Sequence, residues 1–355
     1  NPDYNEYFHP FSRMNFLICS PFYKVCFFQH QKIRLKSDIK DYFYTLFLMM
    51  RNKDYLAYGS ALGAAFFWSF SFVWFKIAYL AYKPITVVLF RLIISASLII
   101  IIALMLKRLQ KPSPKDFALF CLMAFFEPFI YFLGESYGLM YVSPTTASVI
   151  VATIPLLSPV AAWYFFREKV TLKNALGFIF SFAGVALVVL DSSFRFDASP
   201  LGVGLEFIAV FGAIAYSIVL RKVVARYNTM TIIAYQNLIG ILLFLPIWIT
   251  VDFNDFLLTP FHPRAFRAII LLALFASTLA FVFFTQSIRQ IGVNRSNTFV
   301  NLIPVFVAVL SFIILNESLG FQKILGIGIV ISGLFMAQAG VKKSPKQNVI
   351  EAQTL

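Results

Sequence analysis

Apolar stretches of about 20 residues, broken by short polar linkers, recur from Tyr55 to Gly340. They fall near 55–79, 84–106, 117–137, 142–166, 174–190, 201–221, 229–250, 266–288, 293–315 and 323–340. A helix of that length rises about 30 Å, the thickness of a bilayer's hydrocarbon layer. The stretches lack the sustained alternation of outer-membrane strands, so the pattern predicts a bundle of transmembrane helices.

The two halves of the pattern share one register. Pro155, Glu168, Gly177 and Gly184 each have an identical residue 149 positions later, at Pro304, Glu317, Gly326 and Gly333. Earlier in each half the shift is 145, setting Gly59 against Gly204, Tyr82 against Tyr227, Thr86 against Thr231, Lys76 against Arg221 and Arg91 against Gln236. The change of shift implies a small length difference around the third helix of each half. Five helices per half is an odd number, so the second copy enters the membrane in the opposite sense. The expectation is an all-α membrane protein of ten transmembrane helices, built as two inverted five-helix repeats over 50–191 and 200–340, with a cytoplasmic tail at 341–355. In secondary transporters such halves rock against each other around a central site. Gly177 with Gly184, and Gly326 with Gly333, lie on one helical face, where small residues admit close helix packing. Pro155 and Pro304 each free a carbonyl mid-helix and so kink the span or open a polar spot. Glu168 and Glu317 fall at turns leading into the fifth and tenth spans, where a helix N-terminus stabilises a carboxylate. Their expected role is structural.

Composition agrees with the membrane reading: 60% of residues are hydrophobic and 13% charged, with a mean hydropathy of +0.80. Soluble domains carry about twice that share of charge. The net charge of +14 would suit nucleic acid, but its distribution follows topology instead. Lys and Arg gather in the linkers Lys107–Lys115, Arg167–Lys173, Arg221–Arg226 and Arg289–Arg295 and in the tail Lys342–Lys346, whereas the other linkers hold little. The positive-inside rule then puts both termini in the cytoplasm, and no nucleic-acid partner is expected. Cys19, Cys26 and Cys121 make no disulfide framework, and His9, His30 and His262 lie outside the spans, so neither a metal site nor a cofactor is expected. The first 49 residues, rich in Phe, Tyr and Lys, show no signal-peptide pattern, and Met50-Arg51-Asn52-Lys53 reads as a start. Residues 1–49 are therefore expected to be an upstream extension; the alternative is a basic, aromatic segment on the membrane surface.

These residues resemble the drug/metabolite transporter superfamily, specifically its EamA-type transporters. The resemblance rests on Trp68-Ser69, Lys76, Pro84, Arg91, Tyr141-Val-Ser-Pro144, Pro155, Glu168 and Gly177 in the first half. In the second it rests on Tyr216, Arg221, Gln236, Pro246, Ile291-Gly292, Pro304, Glu317, Gly326 and Gly333. Glu127, inside Phe126-Glu-Pro-Phe-Ile-Tyr-Phe-Leu-Gly-Glu135, departs from the common pattern. The resemblance implies an inner-membrane carrier of a small organic solute, often an exporter of amino acids or related metabolites. It names no single substrate.

Charge inside a bilayer costs several kcal/mol, so each intramembrane charge should face a partner or a wet cavity. Lys76, near a span end, either snorkels outward or serves the site. Arg91, deeper in span two, either binds an anionic group or pairs with a carboxylate. Glu127, Tyr131 and Glu135 follow at steps of four and form one stripe on span three. A carboxyl in such surroundings can exchange protons near neutral pH, making Glu127 the proton-coupling candidate; the alternative is a permanent ion pair with Arg91 or Lys76. Glu135, nearer the span end, is expected to be solvated, and Glu206 faces the same choice as Glu127. A second stripe, Asn294, Asn297, Asn301 and Pro304 on span nine, suits either a solute-facing wall or helix–helix glue. Trp68, Gln236, Asn237 and Gln286 complete the candidate solute contacts.

A phosphate-binding GxxxxGK[ST] loop does not occur in the sequence, and with no His and one Cys in the spans an embedded enzyme would lack its nucleophile or metal cluster. The sequence thus reads as a secondary transporter working by alternating access, with a receptor, a scaffold or an uptake permease as the rival readings.

Overall fold

Proline opens helix after helix in the computed structural model, which describes residues 53–157, 172–189 and 198–339. Pro84, Pro114, Pro144, Pro200 and Pro263 all lie in a first helical turn, where a missing N–H costs nothing and the fixed φ is already helical. The residue ahead often caps. Ser113 Oγ accepts from Asp116 N, Ser143 Oγ from Thr146 N, and Asn228 Oδ1 from Thr231 N.

The resulting helices are α1 (Lys53–Ala78), α2 (Pro84–Met105), α3 (Pro114–Tyr141), α4 (Pro144–Leu157), α5 (Leu172–Val189), α6 (Pro200–Val223), α7 (Thr229–Val251), α8 (Pro263–Ile291), α9 (Val293–Val300 and Ile303–Leu315) and α10 (Phe321–Ala339). Among the described residues α1, α2, α3, α6, α7 and α8 are long and apolar enough to cross a membrane, while α4, α5, α9 and α10 include shorter apolar helices. This is an all-α, multi-pass membrane fold. Glu168, residues 1–49 and the tail lie outside the described residues, as does the side chain of Asn294.

Helix pairing obeys the repeat. α2 packs on α7, α4 on α9 and α5 on α10, each against its own counterpart; α1 packs on α8 and α3 on α6, a reciprocal exchange. Such a pattern is unchanged when the halves are swapped, as a two-fold axis between them requires. Hydrogen bonds fix the sense. At the start of α2, Thr86 donates from N (2.9 Å) and from Oγ1 (3.1 Å) to Asp252, which ends α7. At the start of α7, Thr231 donates from Oγ1 to the carbonyl of Arg108, just beyond α2 (3.3 Å). The two helices therefore run antiparallel, with the repeat-related threonines at opposite ends. Tyr82 and Tyr227 repeat the device: their hydroxyls accept from His262 N (3.4 Å) and Ser113 N (3.2 Å), the residues that begin α8 and α3.

The repeated glycines lie where α5 and α10 cross. A Cβ added to Gly184 would meet the Gly326 carbonyl at 2.7 Å, one on Gly326 the Gly184 carbonyl at 2.8 Å, and one on Gly333 the Gly177 carbonyl at 2.8 Å. Only hydrogen fits between these backbones. The prolines interrupt their helices at matched points: α4 loosens into a turn at Ala152-Thr153 ahead of Pro155, and α9 at Asn301-Leu302 ahead of Pro304.

Candidate functional site

The third helix of each half departs from regular α-helical geometry at the same place: α3 is broken by a kink at Glu127, within Phe125–Ile130, and α8 widens into a π-type turn over Leu272–Leu279. Wide turns of this kind turn backbone and side chains away from regular helical paths and often mark functional sites. Within the first, Glu127 adopts an extended backbone (φ −147°, ψ 115°) ahead of Pro128, across a cis peptide. Within the second, Thr278 Oγ1 donates to the carbonyl of Ala273, five residues back (2.8 Å). Ser277 accepts from Arg91.

A cavity of about 70 Å³ lies beside the first of these departures, which supplies Glu127 to its wall. Its walls are Trp68, Ser71 and Phe72 of α1, Arg91 of α2, Glu127, Tyr131, Phe132 and Glu135 of α3, Val151 and Ile154 of α4, Ala213, Tyr216 and Ser217 of α6, Phe281 and Phe284 of α8, and Asn297, Val300 and Ile303 of α9. Both repeats contribute.

Arg91 is 2% exposed. Its guanidinium carbon lies 4.1 Å from the ring centre of Phe132 and 5.1 Å from that of Phe75, contacts that favour a cation. Nε donates to Ser277 Oγ at 2.7 Å, whereas Nη1 has no hydrogen-bond partner among the described residues. No ion pair joins Arg91 to Glu127 or Glu135 among the described residues, so the static pairing open from the sequence is not what this structure contains. The charge is embedded, oriented by one hydroxyl and two rings, and leaves one face of its donor fork unused.

Opposite charge lines the same space. Glu127 and Glu135 are 7% and 3% exposed. Tyr131 Oη donates to Glu135 Oε1 at 3.1 Å, which links two members of the predicted stripe; Glu127 lines the same cavity. Glu135, expected to be solvated, is buried: position along a span does not tell which face a residue turns, and this one faces the bundle. Trp68 packs edge-on against Phe281 and Phe284, with centroids 5.4 and 4.8 Å apart.

Of the other candidates, Asn297 lines the cavity. Asn301 lies in the break of α9, fully buried, with neither amide atom hydrogen-bonded among the described residues. Gln236 accepts from Tyr216 Oη (3.2 Å), and Asn237 donates to Ser95 Oγ (2.8 Å), which meets Thr278 Oγ1 (2.7 Å). Both stand behind the wall rather than in it, and Gln286 is half-buried outside it. Glu317 accepts from Thr145 Oγ1 (2.9 Å) and lies with Lys76 in a second, open cavity between α1, α4 and the end of α9. Sequence reasoning passed over Ser95, Ser277 and Thr278, and singled out Tyr216 only for the family resemblance and not for the site. The available signal was the adjacent Ser277-Thr278 pair in an apolar span, at the repeat position of Pro128-Phe129.

The profile of the EamA-like transporter family matches residues 56–190 and, a second time, 200–338. The chain belongs to this family. Two relatives of this EamA-like transporter are an "Uncharacterized transporter" of Archaeoglobus fulgidus, 24% identical over 77% of this chain and 93% of that protein, and the "Uncharacterized transporter YetK" of Bacillus subtilis, 24% identical over 74% and 81%. A third, "Uncharacterized transporter YyaM" of Bacillus subtilis, is 28% identical over 61% of this chain and 72% of its own length. A solved crystal structure superposes with a TM-score of 0.60, covering 81% of this chain and 99% of that one, at 16% identity. That likeness concerns the fold alone. The protein is a membrane transporter acting in a lipid bilayer on a small solute.

Proposed function

We propose that this transporter exports a small organic solute bearing an acidic group, such as an amino acid, by alternating access coupled to protons. The observation that carries the reading is the free face of Arg91. A buried guanidinium with no carboxylate bonded directly to it is stabilised by a planar anion that accepts two of its N–H groups, and a carboxylate fits that fork. Glu127 and Glu135 in the same cavity suit the ammonium of a zwitterion, with Asn297 as an amide contact and the rings of Trp68, Phe281 and Phe284 for an apolar portion. Solute ammonium and proton would compete for Glu127, which couples their movements. Export is the direction that the EamA resemblance suggests.

The membrane setting we propose is a bacterial inner membrane with both termini cytoplasmic. Its support is the gathering of basic linkers at one end of the bundle, where Arg226 pairs with Asp116 (2.5 Å) and Arg289 donates to the carbonyl of Tyr227 (2.6 Å).

The test is the amino-acid profile of medium around cells expressing the full chain, beside cells expressing Arg91→Met. Solutes enriched outside only with the intact protein are the expected result. Equal enrichment with both would remove Arg91 from solute recognition, and depletion of the medium would turn the direction to uptake.

A further inference from the structure

The cavity leaves one acidic group unused. Glu206 of α6 is fully buried, and neither carboxyl oxygen has a hydrogen-bond partner among the described residues. Its side chain lies against α3 at Gly138, where an added Cβ would stand 2.6 Å from Glu206 Oε1 and 3.0 Å from its Cγ. Glycine at 138 thus makes the space that the carboxyl fills. Gly134, one turn earlier, brings the backbones of α3 and α6 together, since its added Cβ would meet the Leu205 carbonyl at 2.5 Å. The pocket is shaped for this acid, yet supplies no donor to it.

An ionised carboxylate in such a place would lack both water and hydrogen bonds, at a cost of several kcal/mol. The neutral acid fits without that cost. The titratable groups whose charge reaches it are few: Glu135 and Tyr131 of α3, and Lys76 and Tyr79 of α1. The α4 segment packed on α6 contributes no titratable side chain over 144–157. Glu135 belongs to the central cavity, and Lys76 to the open cavity that also holds Glu317. Glu206 thus has an acidic neighbour on the cavity side and a basic one on the surface side, without bonding to either.

We propose that Glu206 is a proton-binding site of the transport cycle, an internal station between the cavity carboxyls and the open cavity at Lys76 and Glu317. In the conformation described it holds the proton; when α1 and α6 shift, Lys76 receives the carboxylate and the proton leaves. No bond other than O–H changes, and the released proton passes to water in the open cavity or to Glu135. This rests on the proton-coupled reading of the transporter and adds a second carboxyl to it.

The test needs no knowledge of the solute. Infrared spectra of the full chain in lipid vesicles, for wild type and for Glu206→Gln, would be recorded in water and in deuterium oxide. The expected result is a protonated-carboxyl band that the substitution removes and that deuterium oxide shifts. Identical carboxyl bands in the two proteins would overturn the proposal, as would a Glu206 band that deuterium oxide does not move, since that acid would be sealed from bulk. Glu206→Asp guards against misfolding of the Gln variant: it should keep a shifting band, and its loss in a folded protein counts against the site. In parallel, a radiolabelled mixture of the protein amino acids would be driven by a pH gradient into vesicles. Flux in wild type that Glu206→Gln uncouples from the gradient is expected. If no labelled solute moves with wild type, the amino-acid reading fails while the infrared result still decides Glu206.

Discussion

At the scale of single residues, the site is a problem in placing charges where water is scarce. Arg91 is held by one hydroxyl and two rings, so its worth to a solute depends on fork geometry as much as charge. Arg91→Lys keeps the charge and loses the fork; solute affinity, read as the KM of flux, should weaken at least tenfold, about 1.4 kcal/mol. Glu127→Gln should flatten the pH dependence of flux while the protein still elutes as a folded species in detergent; unchanged pH dependence would confine Glu127 to structure. Arg91 and Glu127 stood out in the sequence because a charge in an apolar run is costly enough to demand a reason. Glu135 was misjudged because depth along a helix says nothing of azimuth. Ser277 and Thr278 were silent because a hydroxyl can satisfy itself on its own helix backbone and costs little in an apolar span.

Elements show which sequence signals are geometric. The glycines at 184, 326 and 333 approach backbone carbonyls at 2.7–2.8 Å once a Cβ is added, so larger residues must push α5 and α10 apart. Gly326→Leu or Gly333→Leu should each cost about 1–3 kcal/mol and lower the melting temperature in detergent. The exposed tie of Lys83 to Asp255 between linkers is a contrasting case. Its hydrogen bond to Asp255 raises the Lys83 amine above its ordinary range, so the tie persists through neutral pH and is lost only as pH rises through that raised value. Being solvent-exposed it adds little, and Lys83→Met should leave the melting temperature at neutral pH unchanged. Repeat glycines and prolines were legible because each answers a local steric demand. The π-type turn in α8 was not, because no residue preference marks an extra backbone unit; that it matches the kink at Glu127 in α3 is visible only in the folded protein.

For the whole molecule, the periodic apolar runs, the basic linkers and the two register shifts together gave the all-α membrane class and the two-repeat plan, while the cavity's composition had to come from packing. A fluorescent protein that matures only in the cytoplasm, fused after Leu355, should glow; a dark fusion that is made in full would invert the topology. The antiparallel pair α2 and α7 carries a further consequence. Its two ends are stitched by the same residue type, Thr86 to Asp252 and Thr231 to Arg108, so the protein has two seams cut from one template and facing opposite compartments. On the alternating-access cycle proposed above, which compartment the cavity visits more often would depend on the difference between the seams, not on the strength of either. Thr86→Val and Thr231→Val become mirror experiments: each should bias a cysteine placed at the cavity residue Ser71 toward labelling from a different side of the membrane. In that proposed cycle the resting orientation of the carrier would be a balance, and either seam a place to tip it.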